Sequence, residues 1–308
     1  APQAWVSNAT PFINLLSSSK TFSIQPRRAY FVFPFRCPVA TPVASAARPA
    51  SSQKSTPSSS RTILVIGGTG FVGQAYISQH LALHPSDTVV SISRRGAPPD
   101  ADRRVVWVSG NAADPATLEN AAATYGPFNG CVHAAGVLLD GSSGLAALNR
   151  IASGSGTRAG GPGSASYDEA TRLTAFSAID IMEEMAANLS TEELLPFVFV
   201  SAAEAGWTVR APIAWLERYL IAKRAVEARL LAAGGLRGIV LRPSLVWTME
   251  RPQALFSVVP FTILNALCVP GVDRPVKVET LVTSAIRAID DPGVKGVLRY
   301  TEMEALAR

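Results

Sequence analysis

The stretch RTILVIGGTGFVGQAYISQHLA, residues 61–82, constrains this chain more than any other. Its ILVI run has the length and the β-branched character of a buried strand. Gly67, Gly70 and Gly73 follow at three-residue spacing, and a helical pattern begins at once. That spacing has a mechanical meaning. Gly67 lets the chain turn sharply out of the strand, Gly70 lets backbone approach a pyrophosphate, and Gly73 lets helix and strand pack closely. Thr69, Phe71 and Val72 complete the candidate cofactor-binding turn, where a helix N-terminus offers N–H groups to an anion. Strand, glycine turn and helix together predict an α/β chain with a Rossmann-type, doubly wound parallel sheet.

The next segments continue the alternation. TVVSIS (88–93) reads as a second strand and runs into Arg94 and Arg95. An acid there would hold a ribose 2′-hydroxyl, whereas two guanidinium groups suit a 2′-phosphate. The expected cofactor is therefore NADP(H) rather than NAD(H); a solvated basic turn is the alternative reading of the pair. VVWVSGNAAD (105–114) supplies a third strand and places Asn111 toward the adenine. GCVHAAGVL (130–138) supplies a fourth, and Ala134, Ala135 and Gly136 would let the cofactor lie against backbone. His133 reads as a packed strand-end residue. A Gly/Ser-rich insertion (140–166) precedes a predicted helix over 167–189, with Leu173, Phe176, Ile179 and Met182 on its core face. PFVFVS (196–201) is a further strand. Residues 273–291 read as strand then helix, and GVLRY (296–300) as a last strand.

Charge is distributed unevenly. Residues 1–61 hold seven Lys/Arg and no acid, leaving 21 basic against 23 acidic groups in the rest, a net of −2. The basic balance of the whole chain thus belongs to its first fifth, and nucleic-acid binding by the folded part is not expected. Residues 1–61, rich in Ser, Ala, Pro and Arg, have the composition of an organellar transit peptide or an extended arm. Residues 62–308 form the expected dinucleotide-binding domain. Three scattered cysteines give no disulfide framework, and His80, His84 and His133 form no metal-ligand set, so no metal is expected. His80 and His84 read as surface residues at a helix end.

The second informative region is the predicted helix over 210–235, which carries Tyr219 and Lys223. Separated by four positions, the two side chains share a helix face. GGTGFVG, HAAG, YLIAK followed by Glu227, and LRPSLVW (241–247) together resemble the extended, atypical short-chain dehydrogenase/reductase superfamily over about residues 61–304. FVSAAEAGW, YLIAKRAVEARLL, GIVLRPSLVW and RPVKVETLVTSAIRAI resemble a mitochondrial and plastid branch, which includes coenzyme-Q-complex-associated dehydrogenase-like subunits. More distantly, the chain resembles a nucleotide-binding accessory subunit of respiratory complex I. The resemblance implies catalytic roles for Tyr219, as proton donor, and for Lys223, which would hold the nicotinamide ribose and depress the tyrosine pKa. It also implies that Ser201 and Pro243 lie beside the cofactor. Where active members carry a substrate-positioning hydroxyl, this chain has Ala203, and the glycine expected after Trp247 is Thr248.

ALFSVVPFTILNALCVPGV (254–272) runs 19 residues without a charge. Its prolines argue against a spanning helix, and it reads as an apolar cover within a small substrate-side region (242–275) or as a lip for lipid or quinone. These features point to an organellar NADP(H)-binding protein with a mainly structural role. The resemblance, rather than the composition, implies partners among subunits of a mitochondrial membrane complex, on the matrix side of the inner membrane, with a plastid as the alternative. The competing expectation is an NADP-dependent reductase of a hydrophobic carbonyl or quinone.

Overall fold

The computed structural model describes residues 60–136, 166–189, 193–211, 213–249 and 273–308. Expectations for the N-terminal arm, the Gly/Ser-rich insertion and the uncharged stretch fall outside these residues. Strands β1 (Thr62–Ile66), β2 (Thr88–Ser93), β3 (Val105–Ser109), β4 (Gly130–His133), β5 (Leu195–Val200), β6 (Leu236–Leu241) and β9 (Gly296–Leu298) form one sheet in the order β3-β2-β1-β4-β5-β6-β9. Every pairing in it is parallel. The strand order reverses between β1 and β4, so the doubly wound sheet expected from the sequence is present. Its switch point lies beside the glycine turn, where such sheets open a crevice at their carboxyl ends.

Alternation along β1 explains why both faces are covered. Ile63 and Val65 point into one core, Leu64 and Ile66 into the other, and all four are buried. The first core takes helix α1 (Phe71–Leu83), through Tyr76, Ile77 and Leu81, and helix α5 (Val278–Asp290), through Leu281, Val282, Ala285 and Ile289. The second takes α2 (Pro115–Tyr125), α3 (Thr174–Asn188) and α4 (Ala214–Leu231). Asp114 caps α2 by accepting from Ala116 N at 3.3 Å, with Pro115 opening the helix. Buried Arg237 donates to the carbonyls of Ala288, Ile289, Asp291 and Val294, which ties β6 to the end of α5. Two short strands, β7 (Val246–Trp247) and β8 (Val276–Lys277), pair in parallel outside the main sheet.

Three local expectations change. The helix predicted from residue 167 starts as a π-helical turn over Asp168–Leu173 before α3. The wider turn displaces the helix face, so Leu173 is exposed while Ile179 and Met182 are fully buried. GVLRY does not extend as one strand, since Tyr300 opens a final helix, α6 (Tyr300–Ala307), where the Glu302 carboxylate reaches back to accept from the Arg299 N–H at 3.0 Å.

The third change is His80, which is wholly buried rather than at the surface. Tyr76 Oη donates to His80 Nδ1 (3.3 Å), and His80 Nε2 donates to Asp87 Oδ2 (3.1 Å). Arg61 also reaches Asp87, at 3.0 Å, and bridges to Asp290, which His84 contacts. This network ties α1 to the starts of β1 and β2, at the end of the sheet away from the glycine turn. Burial, reinforced by His84, pushes the His80 pKa down to about 4, against the opposing pull of Asp87. A histidine depressed in the fold contributes stability that is complete above its unfolded pKa and is lost as pH falls toward the folded value. Unfolding free energy should therefore drop by about 2 kcal/mol between pH 7 and pH 5 from this residue alone. Urea denaturation at the two pH values measures it, and H80Q should flatten the slope. An unchanged slope in H80Q would assign the pH dependence to other groups.

Candidate functional site

The glycine turn follows β1 directly. Gly67 has φ +87°, and its N–H donates to Ile92 O at 3.0 Å, so the turn is tied to β2. A Cβ on Gly67 would lie 2.8 Å from the Ala135 backbone, and one on Gly73 would lie 2.3 Å from Gly67 O. The glycines at 67 and 73 thus permit the turn and the close helix–strand approach expected of them. Gly68 is as constrained, because its Cβ would meet Ser91 Oγ at 2.1 Å; sequence spacing alone did not single it out. Gly70 differs, since only Gly67 O, at 3.1 Å, lies near its missing Cβ. It is the N-cap of α1, contributes no side chain to the helix end, and no acid occupies the first turn. Thr69, Phe71 and Val72 flank it, partly exposed. The N-terminal dipole of α1 therefore faces outward uncompensated by any nearby acid of its own helix.

Arg94 and Arg95 are exposed in the turn after β2, which Gly96 closes at φ +67°. Arg104, by contrast, spends its charge on Asp102 at 2.6 Å. Asn111 shapes the loop after β3: its Oδ1 accepts from Ala113 N at 3.1 Å, and its amide reaches Glu169 at 3.5 Å. Ala134 N donates to Ile66 O at 2.9 Å, which extends the β1–β4 contact into the Ala134-Ala135-Gly136 segment. Gly136 is where the halves of the site meet. A Cβ there would stand 3.4 Å from Thr171 Oγ1 and 3.6 Å from Lys223 Nζ.

Tyr219 and Lys223 share the inner face of α4. Lys223 is buried, donates to Val200 O at 2.7 Å, and places its ammonium 4.7 Å from the centre of the Phe199 ring. Burial pushes its pKa down to about 8, opposed by the charge of Glu227. Tyr219 is half-buried and meets Tyr167 edge-on, with centroids 5.6 Å apart. Burial raises its phenol pKa, and the charge of Glu204 and the nearby Tyr167 add to the rise. The resemblance implies a depressed tyrosine, and in this arrangement the phenol is held as a proton donor instead.

Ser201 and Ala203 follow β5. Ser201 Oγ donates to Glu227 at 2.5 Å, and Glu227 is paired in turn with Arg242. The serine proton is thereby committed to a buried carboxylate. Ala203 is buried as well, and its N–H donates to Pro243 O at 2.8 Å, fixing Pro243 against the strand end. His133 is fully buried and donates from Nε2 to Thr174 Oγ1 at 2.9 Å. Burial, with Lys223 nearby, pushes its pKa down to about 3, which keeps it neutral.

Sequence reasoning passed over two further residues. Thr171 Oγ1 is shut off from solvent and has no hydrogen-bond partner among the described residues, while Ser244 Oγ, equally enclosed, has the Glu204 carboxyl beside it. Thr171 sits beside Gly136 and Lys223, and Ser244 follows Pro243. Buried polar atoms of this kind mark places where a ligand or water completes the bonding. No group of His, Cys, Asp or Glu among the described residues could hold a metal ion. No helix among them is long and apolar enough to cross a membrane.

Comparison with known proteins agrees with this fold. The family described as KR domain matches residues 61–150, the span from the glycine turn past β4. No curated protein matches the chain. Among solved structures, Bordetella bronchiseptica WbmF in complex with NAD+ is similar, with TM-score 0.51, 17% identity, and coverage of 81% of this chain and 77% of that one. A short-chain type dehydrogenase/reductase from Mycobacterium ulcerans gives TM-score 0.53, 18% identity and coverage of 80% and 90%. A short chain dehydrogenase family protein from Francisella tularensis gives 0.52, 14%, and coverage of 79% and 97%. The fold is the Rossmann-like arrangement of short-chain dehydrogenase structures.

Proposed function

We propose that this chain binds NADP(H) between the glycine turn and the Tyr219–Lys223 face, and that its main role is structural, as an accessory protein of a respiratory-chain or ubiquinone-synthesis assembly. The glycine turn carries the cofactor half of this reading. Its backbone is open at Gly70 and closed to side chains at Gly67, Gly68 and Gly73, as close approach of a diphosphate requires. Thr171 Oγ1 and Lys223 Nζ, converging on Gly136, suit the hydroxyl-rich nicotinamide ribose. The NAD+ in the Bordetella neighbour supports a nicotinamide dinucleotide, and exposed Arg94 and Arg95 favour the phosphorylated form.

Ala203 and Thr248 support the accessory half, since both replace residues that active relatives are expected to use. The acid-free first 61 residues support an organellar setting, mitochondrial before plastid, with membrane-complex subunits as partners. Val209, Ile213 and Met249, exposed on the segments around the substrate side, support contact with a lipid or quinone. A second reading, an NADP-dependent reductase of a hydrophobic carbonyl or quinone, is favoured by the retained Tyr219–Lys223 geometry. A bound dihydronicotinamide would supply the reducing equivalents, and Tyr219 would hold the proton over the ligand oxygen.

Fluorescence titration of the full chain tests the cofactor assignment. NADPH should bind more tightly than NADH, and replacing Arg94 and Arg95 by alanine should weaken NADPH about tenfold to a hundredfold while sparing NADH. Equal losses for the two dinucleotides would remove the 2′-phosphate contact. Binding of neither by the unaltered chain would remove the cofactor reading.

A further inference from the structure

We infer that Glu169, positioned by Asn111, recognises the 6-amino group of the cofactor's adenine. This role rests on the NADP(H) reading above and adds the base-recognising residue that it lacks.

The sheet decides where an adenine would lie. With the diphosphate at the glycine turn and the nicotinamide ribose at Lys223, the adenosine half runs the other way, over the ends of β2 and β3. The two loops at those ends are tied together. Gly110 N donates to Ser93 O at 3.1 Å, and Ser109 Oγ donates to Arg94 O at 3.4 Å. Asn111 therefore stands one residue beyond a junction with the arginine turn. Its Oδ1 is already engaged, since it accepts from Ala113 N. Its amide nitrogen points across to Glu169 Oε1, at 3.5 Å. That separation is long for a hydrogen bond, and a third partner can share it.

Glu169 belongs to the π-helical turn, Asp168–Leu173. Helices α2 and α3 pack in the second core, through Leu118 and Ala121 of the one and Ile179 and Met182 of the other. Asn111 leads into α2 and Glu169 into α3, so the packing of the two helices brings the pair together. Glu169 N donates to Ser166 Oγ at 3.1 Å, which fixes the backbone of the turn. The neighbouring acid, Asp168, is paired with Arg172, whereas no ion pair engages Glu169 among the described residues. The turn reaches both ends of the crevice. Glu169 meets Asn111, and Thr171, two residues on, stands beside Gly136 and Lys223. Widened turns of this kind recur at functional sites.

Together the pair offers a base edge one acceptor and one donor. The Glu169 carboxylate accepts, and the second hydrogen on Asn111 Nδ2 donates. Adenine presents the complement, an amino donor beside a ring-nitrogen acceptor. Hypoxanthine carries a carbonyl in place of the amino group, and would set an oxygen against the carboxylate.

Competition binding to the full chain, with NADPH and its hypoxanthine analogue as probes, tests this role. The unaltered chain should hold NADPH about tenfold to a hundredfold more tightly than the analogue. E169A should weaken NADPH by that factor and spare the analogue, so that the preference disappears. E169Q, whose amide can turn to face either base, should bring the two within about threefold of each other. T171V, at the nicotinamide end, should weaken both alike and keep the preference. Equal binding of the two by the unaltered chain overturns the inference and leaves the cofactor reading standing. So does a preference that survives in E169A, or one that T171V erases as fully. Binding of neither probe sinks the cofactor reading, and the inference with it.

Discussion

Gly73→Ala should abolish dinucleotide binding and weaken the fold, whereas Gly70→Ala should weaken binding and leave the fold intact. Alanine in a helix normally gains up to about 1 kcal/mol over glycine. At Gly73 that gain is overwhelmed. The new methyl would lie 2.3 Å from Gly67 O and 2.7 Å from Gly68 Cα, both backbone atoms of the turn. Neither atom can withdraw without moving α1 off β1, and overpacking of this kind costs about 1–3 kcal/mol. The displaced turn would also lose its close approach to a diphosphate, so NADPH affinity should fall at least about a hundredfold. Gly70 has φ −81° and ψ 168°, which alanine adopts freely. Its methyl would meet Gly67 O at 3.1 Å and otherwise point into the space assigned to the phosphates. Thermal denaturation with NADPH titration separates the two variants. A G73A protein that binds NADPH normally would mean that this turn is not the cradle.

Why the turn was legible while the rest of the site was not follows from the range of the forces involved. Glycine spacing, β-branched runs and the Tyr219–Lys223 interval are local constraints, written into neighbouring residues. β2 over Thr88–Ser93 is found where TVVSIS predicts it. The burial of His80 depends on Asp87 and Arg61 arriving from two other strand ends, and a helical pattern holding two histidines carries no trace of that. The π-helical turn was hidden for a related reason. Helical periodicity through residues 167–189 assumes one uniform turn, and a single widened turn moved Leu173 out of the core. Thr171 is a common polar residue on the π-helical turn, far in sequence from both Gly136 and Lys223. Only the tertiary packing of that turn brings its hydroxyl beside them, so no spacing rule could have joined them.

Glu227→Ala should be among the most destabilising single changes, at about 3–5 kcal/mol, because it strands Arg242. Glu227 sits at the junction of three elements: it accepts from Ser201 at the end of β5, pairs with Arg242 after β6, and belongs to α4. Its side chain is 6% exposed and that of Arg242 is 21% exposed, so solvent screens the pair little. The loss should be concentrated in the unpaired guanidinium rather than in the missing attraction. A double variant, E227M with R242M, should therefore recover much of the stability lost by either substitution alone, since an apolar pair of similar size leaves no buried charge. Chemical denaturation of the two single variants and the double variant measures this coupling directly. If the double variant is as unstable as the sum of the singles, the two side chains act independently, and the junction is held by packing alone. The same substitution reaches the site by a second route. The charge of Glu227 supports the ammonium form of Lys223 against burial, so removing it should lower the lysine pKa further. A lysine neutral near physiological pH would no longer hold a ribose by charge, and NADPH affinity should then fall with rising pH in E227M/R242M, even where the fold has been restored.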